Sequence, residues 1–220
     1  GGRMCGRYVI AQDVDAYARF FNVDEIRTEM LAVNYNVAPT DSVYAVVDHD
    51  RTRMLGRFRW GLIPFWAETT KGGQINARAE TVAEKAMFRD SFARRRCIIP
   101  ADGFYEWRRE GSVKTPYFIS TADGQPFAFA ALWENWNSKQ GDESIQSTTL
   151  ITTEANEFMA SLHHRMPVVL GPATAATWLD GADDALAYAV EHTPELRAWP
   201  VDRRVNNARN EGEDLIEAAS

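Results

Sequence analysis

Seven short segments between residues 43 and 152 limit what this 220-residue chain can fold into. They are Val43 to Val47, the alternation of Arg57 and Arg59 with Phe58 and Trp60, Cys97 to Ile99, Phe104 to Arg108, Pro116 to Ser120, Phe127 to Trp133, and Thr149 to Thr152. Their length and their β-branched and aromatic content read as strands. Turn-type residues such as Glu110-Gly111-Ser112 and Asp123-Gly124 separate them more often than helix-length stretches do. Strands joined by tight turns pair antiparallel. The expected class is therefore α+β: a single domain with a largely antiparallel, curled, barrel-like β-sheet and peripheral helices. Val14, Tyr17, Ala18 and Phe21 follow helical spacing after Asp13, a candidate N-cap. Further helices are expected over 155–162, 173–179 and 183–190, with a helix-like run over 79–88.

Composition narrows the function classes. At 45% hydrophobic and 25% charged residues the chain is an ordinary globular protein. No apolar run approaches the ~20 residues of a membrane span, so no membrane partner is expected. Two cysteines, Cys5 and Cys97, cannot staple a scaffold of this size, which points to a reducing, cytoplasmic setting. The net charge of -7 is uneven: residues 1–110 hold 17 Lys+Arg against 15 Asp+Glu, residues 111–220 hold 7 against 16. A basic cleft on an acidic body can still bind phosphates. Gly1-Gly2-Arg3 ahead of Met4 reads as an appended expression leader, so 1–4 are expected to be leader plus initiator methionine and 5–220 the domain.

Several segments carry candidate chemistry. Cys5 follows a methionine, and removal of that methionine would give it two nucleophiles, a thiol and an α-amine. With a reference pKa of ~7.7 against ~10.4 for lysine, far more of such an amine is unprotonated at neutral pH. It can form a Schiff base with an aldehyde, and the adjacent thiol can close a thiazolidine ring. The alternative is a small apolar residue in a first strand. Asn76-Ala77-Arg78-Ala79-Glu80 is polar, and reads as an amide and a guanidinium for ligand contact or as a capped turn. Glu106, between Tyr105 and Trp107, is either a carboxylate with a raised pKa suited to proton transfer or a solvent-facing strand residue. His163 and His164 are neighbours whose rings should point apart, leaving at most one in a given site. The Trp60 to Trp66 segment offers aromatics for stacking unpaired bases, or for burial. No metal-ligand spacing joins the cysteines and histidines, so no metal is expected.

Taken in order, these stretches resemble the SOS-response-associated peptidase family, whose members crosslink themselves to abasic sites in single-stranded DNA. The resemblance rests on Met4-Cys5-Gly6-Arg7, Tyr35-Asn36-Val37-Ala38-Pro39, Trp60-Gly61-Leu62-Ile63-Pro64 and Ile75-Asn76-Ala77-Arg78. It continues through Arg96 to Trp107, His163-His164-Arg165-Met166-Pro167 and Val205 to Gly212. It implies that Cys5 is the nucleophile, that Asn76 positions its α-amine, and that Glu106 moves protons during Schiff-base formation and during removal of the preceding residue. His163 would assist opening of the deoxyribose ring. Arg7, Arg78 and Arg165 would contact phosphates, while Pro39, Trp66 and Thr152 would line the DNA channel. Ala67 departs from members that carry a second aromatic there. The resemblance implies no cofactor and no metal, a single-stranded DNA partner, a nucleoid-associated cytoplasmic location and autoproteolytic processing; it leaves a lyase step open. Two other classes remain: a cysteine-type peptidase or amidohydrolase acting on other proteins through Cys5 and His163, and a non-catalytic nucleic-acid-binding β domain.

Overall fold

The computed structural model describes residues 4–220, so the expected leader at 1–3 lies outside the described residues. In chain order the first elements are β1 (Tyr8–Ile10), α1 (Val14–Phe20), β2 (Glu25–Ile26), β3 (Asn34–Val37), β4 (Ser42–His49), β5 (Thr52–Trp60) and β6 (Asn76–Arg78). Then come α2 (Arg89–Arg94), β7 (Arg96–Ala101), β8 (Gly103–Glu110), β9 (Val113–Thr121), β10 (Phe127–Asn137) and β11 (Ser144–Glu154). The chain continues with α3 (Glu157–Ala160), β12 (Arg165–Pro167), β13 (Val169–Leu170), α4 (Pro172–Leu179), α5 (Ala185–Glu191) and β14 (Leu196–Pro200).

The expected α+β class with a barrel-like, largely antiparallel sheet is what forms. Strand β4 pairs with β5 and β7, β7 with β10, and β10 with β11, all antiparallel. A parallel contact of Ser147 with Arg59 and Thr148 with Trp60 joins β11 back to β5 and closes the ring. Closure leaves no edge on these five strands for other chains to pair with. Val46, Leu55, Ile98, Ala130 and Ile151 are fully buried on them. A second, five-stranded antiparallel sheet runs β14-β9-β8-β1-β3. No helix among the described residues is long and apolar enough to cross a membrane.

Helix α1 begins where its cap predicts, with the Asp13 carboxylate accepting the Ala16 N–H at 2.9 Å. The helices expected at 173–179 and 183–190 appear as α4 and α5, while the one expected at 155–162 is cut to the four residues of α3. The run at 79–88 does not form a helix. It is a succession of turns, because Ala79 N–H is drawn to Thr152 O at 2.8 Å and Glu80 to Arg165. The Asn76 cluster is likewise a strand rather than a capped turn: β6 lies parallel to β11 and buries Ala77 while Asn76 and Arg78 face the other way.

Candidate active site

Antiparallel pairing of β1 with the start of β8 sets Tyr8 against Phe104 and Val9 against Gly103. The chain just before β1 therefore runs beside Glu106. Cys5 is buried, with a positive φ of 42°, uncommon for a residue carrying a side chain. Its backbone N–H points at the Glu106 carboxylate, with the nitrogen 2.7 Å from Oε1. Burial pushes the Cys5 thiol well up, and the nearby Glu106 adds to that shift, so the group is a thiol rather than a thiolate.

Glu106 is 4% exposed. Burial pushes its carboxyl up to about 7, offset in part by the Cys5 N–H bond. Its second oxygen, Oε2, lies 3.5 Å from His163 Nε2. The chain turns from α3 into β12 at that histidine, and the Arg165 N–H donates to His163 Nδ1 at 3.1 Å. With Nδ1 accepting, the neutral ring carries its proton on Nε2, toward Glu106. Burial and the charge of His164 hold the His163 pKa down. The two histidine rings do not point apart as expected; they stack, with centroids 4.5 Å apart and 24° between planes. Helical constraint ends at Ala160, which frees the backbone to lay both rings over one groove. That groove, of about 880 Å³, is lined by Glu106, Trp107, Arg108, His163 and His164.

His164 also borders a second hollow of about 440 Å³, shared with Arg78, Glu154 and Arg165. Register across β6, β11 and β12 assembles it: Arg78 lies beside Thr152, and Glu154 opposite Arg165. Arg78 is exposed, its Nε 3.9 Å from Glu80. Arg165 is 3% exposed and forks onto Glu80 at 2.6 and 3.0 Å, with a third bond of 3.1 Å to the Thr152 hydroxyl. That arrangement holds the Glu80 carboxyl below its usual range. The guanidinium expected to face phosphate is thus occupied by a protein carboxylate, and Thr152 sits buried behind it.

The remaining sequence candidates are dispersed. Asn76 donates to the Ile75 carbonyl at 3.1 Å and makes no hydrogen bond to Cys5. Arg7 reaches Asn36 Oδ1 at 3.0 Å and the carbonyls of Val205 and Asn206 at 2.7 and 3.0 Å, tying β1 to the C-terminal segment. Pro39 is half-buried between β3 and β4, and Trp66 stands 54% exposed on its own loop. Sequence reasoning gave no role to Glu80, Asn36 or Glu134. Asn36 is 1% exposed and donates to the carbonyls of Val205, Asn207 and Asn210. Glu134 carried a signal that was available, an acid directly after the unbroken apolar run Phe127 to Trp133. Among the described residues, no group of three or more His, Cys, Asp or Glu side chains is arranged to hold a metal.

Residues 4–208 match the family described as SOS response associated peptidase (SRAP). The chain is 38% identical to the abasic site processing protein YoqW of Bacillus subtilis, over 98% of this chain and 100% of that protein. It is 33% identical to the abasic site processing protein YedK of Escherichia coli, over 97% and 99%. Its fold is shared with a crystal structure of a Bacteroides thetaiotaomicron protein, at TM-score 0.82 and 24% identity over 98% of this chain and all of that one.

Proposed function

This chain belongs to the SOS response associated peptidase family, and from that premise we propose that it processes abasic sites in single-stranded DNA by linking itself to them through Cys5. The observation that carries this reading is the 2.7 Å contact between the Cys5 nitrogen and a buried carboxylate whose pKa stands at about 7. A group half protonated at neutral pH both donates and accepts protons.

Each step then has a residue for it. In hydrolysis of the Met4–Cys5 bond, Glu106 takes a proton from the water that adds to the Met4 carbonyl and returns it to the nitrogen as the C–N bond breaks, leaving the Met4 carboxyl and the free Cys5 amine. An abasic site is mainly a closed hemiacetal. Glu106 and His163 act as the acid–base pair that protonates the ring oxygen and takes the proton of the 1-hydroxyl, exposing the aldehyde. The free Cys5 amine adds to that carbon and water leaves, giving a Schiff base. The thiol then adds to the same carbon, its proton passing to nitrogen, and a thiazolidine closes. Arg78, the exposed guanidinium of the three, holds phosphate, while Arg165 and Arg7 are engaged by Glu80 and by the C-terminal carbonyls and shape the site from behind. The raised pKa of the Cys5 thiol argues against the peptidase alternative, whose nucleophile is a thiolate paired with imidazole.

The test is a denaturing gel of protein beginning at Cys5, mixed with a single-stranded oligonucleotide bearing one abasic site. A covalent adduct is expected from the wild type and none that is stable from Cys5→Ala. Cys5→Ser keeps the amine but not the thiol, and should give only an adduct trapped by reduction. A stable adduct from Cys5→Ala in wild-type yield refutes the thiazolidine route.

A further inference from the structure

Residues 61–74 form a loop closed tightly at its base. Leu62 and Gln74 exchange backbone hydrogen bonds of 2.8 and 3.0 Å. Gly73, at φ +74°, packs so closely on Gly61 that a Cβ there would lie 2.6 Å from the Gly61 carbonyl oxygen. Farther out, three side chains grip the loop backbone. Ile63 N–H donates to Ser147 Oγ, Phe65 N–H to Glu134 Oε2, and the Trp136 indole N–H to Ala67 O, each at 2.8 Å.

Held on both sides, the loop turns Phe65 and Trp66 into solvent, 56% and 54% exposed. Trp60, at the end of β5 where the loop begins, is fully buried against Tyr8. Scattered exposed apolar residues are ordinary; here two consecutive aromatic side chains are both exposed on a backbone held at three points. Glu134 is the costliest of the three grips. It is 2% exposed, paired with Arg95, and accepts the Ser91 hydroxyl at 2.7 Å. A buried ion pair is a weak source of stability, whereas its free oxygen fixes the Phe65 amide. Beside Trp66, a cavity of about 170 Å³ is lined by Pro64, Lys71, Gln74 and Met87, with no acidic side chain in its wall. Exposed rings, one of which shares its hollow with Lys71, match unpaired bases on a phosphate backbone, because every base presents a π-face.

We propose that Phe65 is a second base-stacking residue beside Trp66, and that Glu134 is the positioning residue that holds the pair toward single-stranded DNA. The proposal rests on the reading of this chain as an abasic-site processor.

Binding of an undamaged single-stranded oligonucleotide carrying 2-aminopurine separates the two ideas, since it needs no reaction at Cys5. Phe65→Ala should weaken binding about 5- to 50-fold and reduce the 2-aminopurine quench, with an unchanged salt slope because no phosphate contact is lost. Glu134→Gln and Trp136→Phe should weaken binding less, and add nothing further in a Phe65→Ala/Trp66→Ala background. Trp136→Phe removes only one N–H grip, so it carries the positioning test if Glu134→Gln does not fold. Binding by Phe65→Ala within twofold of wild type overturns the stacking role. Equal losses from the Glu134 and Trp136 variants with and without the two rings overturn the positioning role. An adduct that forms normally while binding ignores Phe65 breaks this proposal alone. Phe65-dependent binding without any adduct breaks the proposed reaction and leaves the stacking role standing.

Discussion

Two glutamates are buried in this molecule to nearly the same degree, Glu106 on β8 and Glu134 on β10, and they are compensated very differently. Glu134 has a guanidinium, a hydroxyl and a backbone amide around its two oxygens. Glu106 has one amide N–H at 2.7 Å and an imidazole at 3.5 Å whose own pKa is held down. Full compensation turns a buried carboxylate into a fastener. Partial compensation leaves desolvation in charge and pushes Glu106 up to about 7, where a proton moves on and off. Burial alone does not make a buried acid chemical; the missing cation does.

Substituting the two acids should separate rate from stability. Glu106→Gln is expected to slow adduct formation by about 10²–10⁴-fold while leaving the melting temperature at pH 7 unchanged or raised. Glu134→Gln strands Arg95 and should lower stability by roughly 3 kcal/mol, seen as a drop in the urea midpoint. A comparable rate loss from both, measured with DNA saturating, would erase the distinction between fastener and proton carrier.

The pH dependence of stability sharpens the contrast. The folded state raises the Glu106 pKa from 4.5 to about 7, so between those values it holds a proton that the unfolded chain has released. Stability from this group is full below about 4.5 and is lost as pH rises through about 7, by at most about 3 kcal/mol. Glu106→Gln should flatten that stretch of the curve in denaturant titrations. An unchanged curve means that Glu106 is not the group responsible.

The smallest effect belongs to the exposed cation beside the second hollow. Arg78→Ala should weaken DNA affinity across sequences and reduce the salt slope by about 1, with the adduct rate at saturating DNA little changed. A slope identical to wild type removes Arg78 from the phosphate contacts.

What the sequence made legible follows from the range of the forces involved. Strands β4, β5 and β7 to β11 were readable because their apolar alternation is local, and α1 because Asp13 caps it. The short strands β6 and β12 were not, since three residues of Asn-Ala-Arg or Arg-Met-Pro form strands only against β11. The same distant partner pulled 79–88 out of a helix. At the site, Glu106 was legible through its aromatic neighbours, and Cys5 through the methionine before it. Glu80 was not, because its role depends on an arginine 85 positions away. The stacking of His163 on His164 depends on a turn that residue types alone do not specify.

In the proposed reaction the Cys5 nitrogen is the atom that attacks, and whether it is an amide or an amine can be set before the DNA is added. Chains with an intact Met4–Cys5 bond and chains beginning at Cys5, distinguished by mass spectrometry, are each mixed with the abasic oligonucleotide and run on one denaturing gel. An amide nitrogen has its lone pair delocalised into the carbonyl, so the uncut chain should give no adduct and the cut chain a strong one. A robust adduct on chains still carrying Met4 would contradict the claim that the Cys5 α-amine is the essential nucleophile.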